Sequence, residues 1–152
     1  MSITDITNYM SVCEHIASSG QPEPHHFQQI SEAGYQAVVN LAMPDSSLAI
    51  TDEANIVESL GMRYIPIPVP FDAPTVQHLR QFIHVMETIG RQKVWIHCVL
   101  NYRVSAFLYQ YHRIIQSWSE EQARKVILPS WQPDDVWQQF MTLTREEVMT
   151  GS

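Results

Sequence analysis

The sequence predicts an α/β fold: a central, mainly parallel sheet of four or five strands flanked by helices. Three observations carry that expectation. Apolar, β-branched runs alternate along the chain with helical periodicities. The connections between runs are long enough for helical crossovers, which pair strands in parallel and cover the sheet. One stretch, Lys93 to Ser105 (KVWIHCVLNYRVS), passes from strand to helix with a cysteine at the junction.

Taken in order, Ile16 to Ser18 reads as a short strand within a weakly patterned first twenty residues. Ser18-Ser19-Gly20-Gln21-Pro22 is a turn. Pro24 to Ala33 is a helix with Phe27, Ile30 and Ala33 on one face and Gly34 as its stop. Tyr35 to Ala42 is a buried strand, followed by a loop at Pro44 to Ser47. Thr51 caps a helix that runs to Leu60 and ends at Gly61. Met62 to Ile67 is the next strand; Pro66, Pro68 and Pro70 then exclude regular pairing and stiffen a loop. Thr75 caps a helix with an apolar stripe of Leu79, Phe82, Ile83 and Met86, closed by Gly90. Lys93 to His97 is the last strand. Val104, Phe107, Leu108 and Tyr111 then follow helical spacing. Ser119-Glu120-Glu121-Gln122 is a capping box. Asp134 to Thr144 reads as a helix with Val136, Trp137, Phe140 and Met141 on its apolar face.

The length predicts one domain over residues 1–152, with helices from about 119 packed on it. An apolar content of 45% is enough for an ordinary globular core. The net charge of −7 argues against non-specific nucleic-acid binding and against an anionic membrane surface, but leaves room for a local positive pocket. Two cysteines, Cys13 and Cys98, make no disulfide framework and fit a reducing, cytoplasmic compartment. No signal peptide and no membrane span are expected. The histidines, His25-His26 included, give no ligand pair at helical spacing with a third partner, so no metal or other cofactor is expected.

Open parallel sheets bind ligands beyond the carboxyl ends of their strands. Cys98, Asn40 and the loop from Pro66 to Thr75 all fall at such ends. Cys98 also precedes a helix, whose first N–H groups point outward and whose dipole favours negative charge. Such a thiol is either an inert core residue or a nucleophile. Arg103, five residues on, is a planar cation suited to an oxyanion, which weighs against the inert reading.

IHCVLNYRVS (Ile96 to Ser105) resembles the phosphate-binding loop of cysteine-dependent tyrosine and dual-specificity phosphatases. SSGQPEPHHFQQISEAGYQAVVNLAMP (Ser18 to Pro44) resembles a small bacterial family of candidate phosphatases, formerly a domain of unknown function, related to β-lactamase-hydrolase-like proteins. The resemblance covers about residues 16 to 116. It implies a phosphatase-like fold and hydrolysis of a phosphomonoester through a phosphocysteine. Cys98 would attack phosphorus. The N–H groups of Val99, Leu100, Asn101, Tyr102, Arg103 and Val104, with the Arg103 side chain, would hold the phosphoryl oxygens. Asp72 sits where the family carries its general acid, and also reads as a turn residue between Pro70 and Pro74; Asp45 is the weaker candidate. Ser105 would bond the cysteine sulfur, and His97 would bond backbone behind the loop. The implied partner is a phosphate-containing small molecule or a phosphoprotein.

The chain departs from the family pattern at one point. Four residues, not five, separate Cys98 from Arg103. Either the loop is one residue shorter, or Asn101 takes the usual glycine position and Val104 the usual arginine position. Asn tolerates positive φ, which favours the second alignment. Arg103 is then turned by roughly 100° about the helix start. Three functions follow: an active phosphatase, an anion-binding pseudophosphatase, or a rhodanese-like sulfur carrier at Cys98. Cys13 would be a resolving thiol only if it faced Cys98, and nothing in the sequence brings the two together.

Overall fold

A computed structural model describes residues 2–150. Its centre is a five-stranded sheet of order β1-β2-β5-β3-β4. The strands are β1 (Met10–Cys13), β2 (Ile16–Ser19), β3 (Ala37–Asn40), β4 (Arg63–Pro66) and β5 (Val94–His97). β2, β5, β3 and β4 are mutually parallel, and only β1 runs antiparallel, as a hairpin on β2. The predicted α/β class stands, with five strands.

The helices are α1 (Pro24–Glu32), α2 (Glu53–Ser59), α3 (Val76–Ile89), α4 (Tyr102–Ile114), α5 (Glu120–Arg124), α6 (Asp135–Phe140) and α7 (Arg145–Thr150). Strand residues alternate between the two faces, and both faces are covered, so the strands read as unbroken apolar runs. Ala17, Val38 and Trp95 face α1 and α2, packing with Phe27, Ile30 and Val57. Ile16, Val39 and Ile96 face the other way, toward Leu79, Phe82, Val104 and Phe107 of α3 and α4. The α3 stripe is buried as its spacing predicts, Thr75 caps it, and Gly90 ends it at φ 65°.

The register positions the site. Ser19, His97 and Asn40 lie side by side at the carboxyl ends of β2, β5 and β3. β5 is central, so the turn leaving it emerges in the middle of this edge, flanked by the exits of β2 and β3.

Several local expectations are corrected. The β1 hairpin was not anticipated: its residues alternate poorly, and it carries a register irregularity between Ser11 and Cys13. Helix α2 starts at Glu53 with Asp52, not Thr51, at its boundary. Pro66 does not stop pairing; it sits in register with Asn40 on β4, an edge strand, where a missing N–H costs nothing. The Asp134–Thr144 helix is shorter, ending at Phe140, and a separate α7 follows. Val136 is exposed, while Trp137 and Phe140 are buried. No helix among the described residues is long and apolar enough to cross a membrane.

His112 on α4 adds a pH dependence to the fold. It is buried, with Nδ1 2.9 Å from the Leu108 carbonyl and its ring against Trp118. Burial pushes it down to about 4, against the smaller upward pull of the Leu108 bond. Its folded value lies below its unfolded one, so its stabilisation is full above about pH 6.5 and is lost as pH falls toward 4. Wild type should lose up to about 3 kcal/mol more unfolding free energy than His112→Asn on acidification across that window. Urea unfolding of both proteins at the two ends of the window measures the difference.

Candidate functional site

The turn from β5 into α4 is held from three directions. From below, the Gln21 N–H donates to the Val99 carbonyl at 2.9 Å, and the Cys98 N–H approaches the Ser19 carbonyl at 3.4 Å. Gly20 lets the two backbones approach this closely: a Cβ there would lie 2.5 Å from the Val99 oxygen. From the N-terminal side, Asn8 Nδ2 donates to the Leu100 carbonyl at 2.9 Å, and Asn101 Nδ2 donates to the Asn8 carbonyl at 2.9 Å and to Ser18 Oγ at 3.1 Å. From the C-terminal side, Tyr102 stacks on Trp131 with ring centroids 5.2 Å apart.

Asn101 takes the left-handed conformation, φ 71°, at the N-cap of α4. Asn is the non-glycine residue that adopts it most readily. The first N–H groups of a helix have no intrahelical acceptor, so the turn presents a row of donors beside Cys98.

Cys98 is 1% exposed and lines a 270 Å³ cavity with Phe71, Val99, Leu100, Tyr102 and Arg103. The rim is apolar: Phe71 and Leu100 are 40% and 39% exposed. Phe71 belongs to the loop after β4. Trp137 pins that loop by donating its Nε1–H to the Phe71 carbonyl at 2.8 Å. The C-terminal helices, which carry no chemistry in their sequence, thus hold in place the loop that brings Phe71 to the cavity.

Arg103 shares this cavity and is 6% exposed. Its Nη1 donates to the Val69 carbonyl at 2.8 Å, and its guanidinium lies 5.6 Å from the Phe71 ring centre. Its buried Nε has no hydrogen-bond partner. Among the described residues the ion pairs are His97–Glu53 and Arg124–Glu120, so Arg103 faces no carboxylate. A buried cation without a counter-charge costs several kcal/mol.

The other expected residues fall as follows. Ser105 is buried next to the loop, but its hydroxyl donates to the Asn101 carbonyl at 2.7 Å and accepts from the Leu128 N–H at 3.0 Å. Its single hydrogen is therefore committed to the loop backbone and not to the cysteine sulfur. Val104 is buried in the core. Asp72 is exposed in the turn from Pro70 to Ala73, next to Phe71. Asp45 is exposed in the turn after β3. His97 is buried behind the loop, with Nδ1 3.1 Å from the Cys98 carbonyl and Nε2 2.7 Å from Glu53 Oε2. Asn40 reaches neither cysteine nor cavity. Its Oδ1 accepts from Ala42 N–H and its Nδ2 donates to the Tyr64 hydroxyl at 3.0 Å. Cys13 Sγ sits 3.5 Å from His15 Nδ1 at the opposite end of the sheet from Cys98.

Sequence reasoning missed Asn8, Gly20 and Gln21, whose signal was only a turn. It also missed Glu53, although a carboxylate four residues before the buried Val57 lies on the apolar face of α2. For a metal, Glu23, His25 and His26 bring one ligand atom each within 4.8 Å of the others. Of these, His26 Nδ1 accepts from the Glu23 N–H at 2.9 Å at the start of α1, so a neutral His26 carries its hydrogen on Nε2.

This architecture is that of the protein tyrosine and dual-specificity phosphatases. No protein-family model matches the sequence, and no curated protein is significantly similar to it. A solved structure of a candidate phosphatase (DUF442) from Shewanella putrefaciens CN-32 is 30% identical, covers 92% of both chains and superimposes with a TM-score of 0.82. The core catalytic domain of the PP-IP phosphatase SIW14 from S. cerevisiae, in complex with citrate, is 17% identical over 95% of this chain and 89% of that one, with a TM-score of 0.74. TpbA from P. aeruginosa, in complex with pTyr, is 14% identical over 99% and 94%, also with a TM-score of 0.74. The chain belongs to the DUF442 family of candidate phosphatases, to whose Shewanella member it is similar along nearly its whole length.

The close approach at Gly20 is testable directly. Gly20→Ala should destabilise the fold by roughly 1–3 kcal/mol, because the new methyl overlaps the Val99 carbonyl and the loop must move. The midpoint of urea unfolding, compared with wild type, measures it.

Proposed function

We propose that the chain is a cysteine-dependent phosphomonoesterase whose substrate carries an apolar or aromatic leaving group. One observation carries this reading: Arg103 is a buried guanidinium with an unpartnered Nε, no facing carboxylate, and a place on the cavity that holds Cys98. Its natural counter-charge is an anion in that cavity. The N–H groups at the start of α4 offer further donors to the same anion.

In the proposed mechanism, Cys98 Sγ attacks phosphorus. The S–P bond forms as the bond to the leaving oxygen breaks, and Asp72 gives that oxygen a proton. Asp72 then takes a proton from water, which attacks phosphorus, releases inorganic phosphate and restores the thiolate. The loop N–H groups and Arg103 hold the phosphoryl oxygens as their charge shifts. Ser105 keeps the loop in shape by joining the Asn101 carbonyl to the Leu128 N–H. The apolar rim of Phe71, Leu100 and Tyr102 supports an uncharged substrate body. Arg103 is the only cation among the described residues that line the cavity, and a chain of net charge −7 is poorly suited to a polyphosphorylated substrate.

A second reading, anion binding with little turnover, is favoured by one contact: the bond from Nη1 to Val69 holds part of the guanidinium in the cavity wall. Two measurements separate the readings. Hydrolysis of p-nitrophenyl phosphate by wild type and not by Cys98→Ser supports the phosphatase; equal rates sink it. Vanadate at about a hundred times its Kd should raise the melting temperature by roughly 5–10 °C in wild type, and far less in Arg103→Met. A vanadate shift without hydrolysis supports the binding reading, and no shift removes both.

A further inference from the structure

Resting on the reading of Cys98 as the reactive atom, we infer that Glu53 is a positioning residue that acts on the loop through His97, holding hydrogen on both ring nitrogens and locking the peptide that follows Cys98. The chain of contacts is short. His97 is fully buried at the end of β5. Its Nδ1 lies 3.1 Å from the Cys98 carbonyl, and a carbonyl oxygen can only accept, so Nδ1 carries a hydrogen. Its Nε2 lies 2.7 Å from Glu53 Oε2.

The surroundings of Glu53 set the other hydrogen. Glu53 is 3% exposed. Gln21 Nε2 donates to Oε1 at 2.8 Å, and Asn40 Nδ2 approaches Oε2 at 3.5 Å. The Asn40 amide is oriented by the Ala42 N–H on its Oδ1, so it is the NH₂ that faces the acid. Two amide donors aimed at one carboxyl group, one on each oxygen, suit an ionised acid, which only accepts. The Nε2 of His97 is then also a donor. No Lys or Arg pairs with Glu53 among the described residues, so His97 is its counter-charge. Tyr64 stands nearby as a neutral phenol, pushed up chiefly by burial and further by Glu53.

The peptide plane carries the effect to the loop. The carbonyl of Cys98 and the N–H of Val99 belong to one trans peptide and point in opposite directions. Drawing the carbonyl back to His97 turns the Val99 N–H the other way, away from the buried imidazole. Glu53 grips the same residue from its far side as well: Gln21, held by Glu53 through its side chain, donates its backbone N–H to the Val99 carbonyl. Both peptide groups of Val99 therefore depend on one buried carboxylate.

The test uses the thiol itself, so it does not depend on finding a substrate. In a Cys13→Ser background Cys98 is the sole thiol. Its alkylation by iodoacetamide is timed at neutral pH, with thermal melting measured in parallel. Glu53→Gln keeps the shape and removes the charge. It should slow alkylation of the folded protein roughly tenfold or more, the scale on which loss of a histidine's outer partner acts at metal sites. His97→Asn should slow it to a similar extent, and the double variant no further, because the two act as one unit. An unchanged rate in Glu53→Gln, or fully additive losses, overturns the inference. If Glu53→Gln does not fold, nitrogen-15 histidine spectra of wild type decide: hydrogen on both His97 ring nitrogens supports it, and hydrogen on Nδ1 alone overturns it. Failure of wild-type Cys98 to alkylate removes the reading of Cys98 as reactive, and this inference with it.

Discussion

The site depends on a backbone contact that admits no side chain. Gly20 lets the segment after β2 lie against the Val99 carbonyl, and the next residue, Gln21, bonds that carbonyl. The loop from Cys98 to Asn101 is thereby fastened to the edge of the sheet. Its remaining groups follow: Asn101 turns left-handed and starts α4, and α4 carries Arg103 into the cavity wall. A loop without glycine would otherwise have little reason to fold back so tightly. Here its neighbours supply the constraint that its own composition lacks.

Charge is arranged around this loop with economy. The chain is acidic overall, yet a guanidinium and an imidazole lie close to Cys98, one on each side of it. Arg103 stands in the cavity with no acid opposite it, whereas His97 stands behind the loop against Glu53. The imidazole has its acid within the fold, and the guanidinium is left for whatever enters. Desolvation makes the distinction matter: a neutral buried pair holds shape, while an unbalanced buried cation selects a ligand by sign.

Much of this was legible in the sequence because it rests on local periodicity. The strands β2 to β5, the α3 stripe and the strand–cysteine–helix junction all follow from spacing. So does the parallel sheet, and with it the edge on which Cys98 lies. What could not be read depends on partners distant in the chain. Ser105 has the right type for a bond to sulfur, but its hydrogen is taken by the Asn101 carbonyl, and Leu128 approaches from another element. Asn40 sits at the right edge, yet turns to Tyr64 and Ala42. Glu53 carried a signal, an acid on an apolar helix face, but its purpose appears only when α2 meets β5. Val136 shows the opposite error: periodicity placed it inward on a helix too short to hold the pattern.

The grip of Asn8 on Leu100 and Asn101 has an entropic side. These bonds join residues 92 and 93 positions apart, and Gln21 reaches across a similar span to Val99. Closing such large chain loops is entropically costly and is rewarded only when the intervening strands are in place. The loop from Cys98 to Asn101 therefore depends on the non-local part of the fold: β5 and α4 are each built from neighbouring residues, but the turn between them takes its shape from the segments on either side of the N-terminal hairpin.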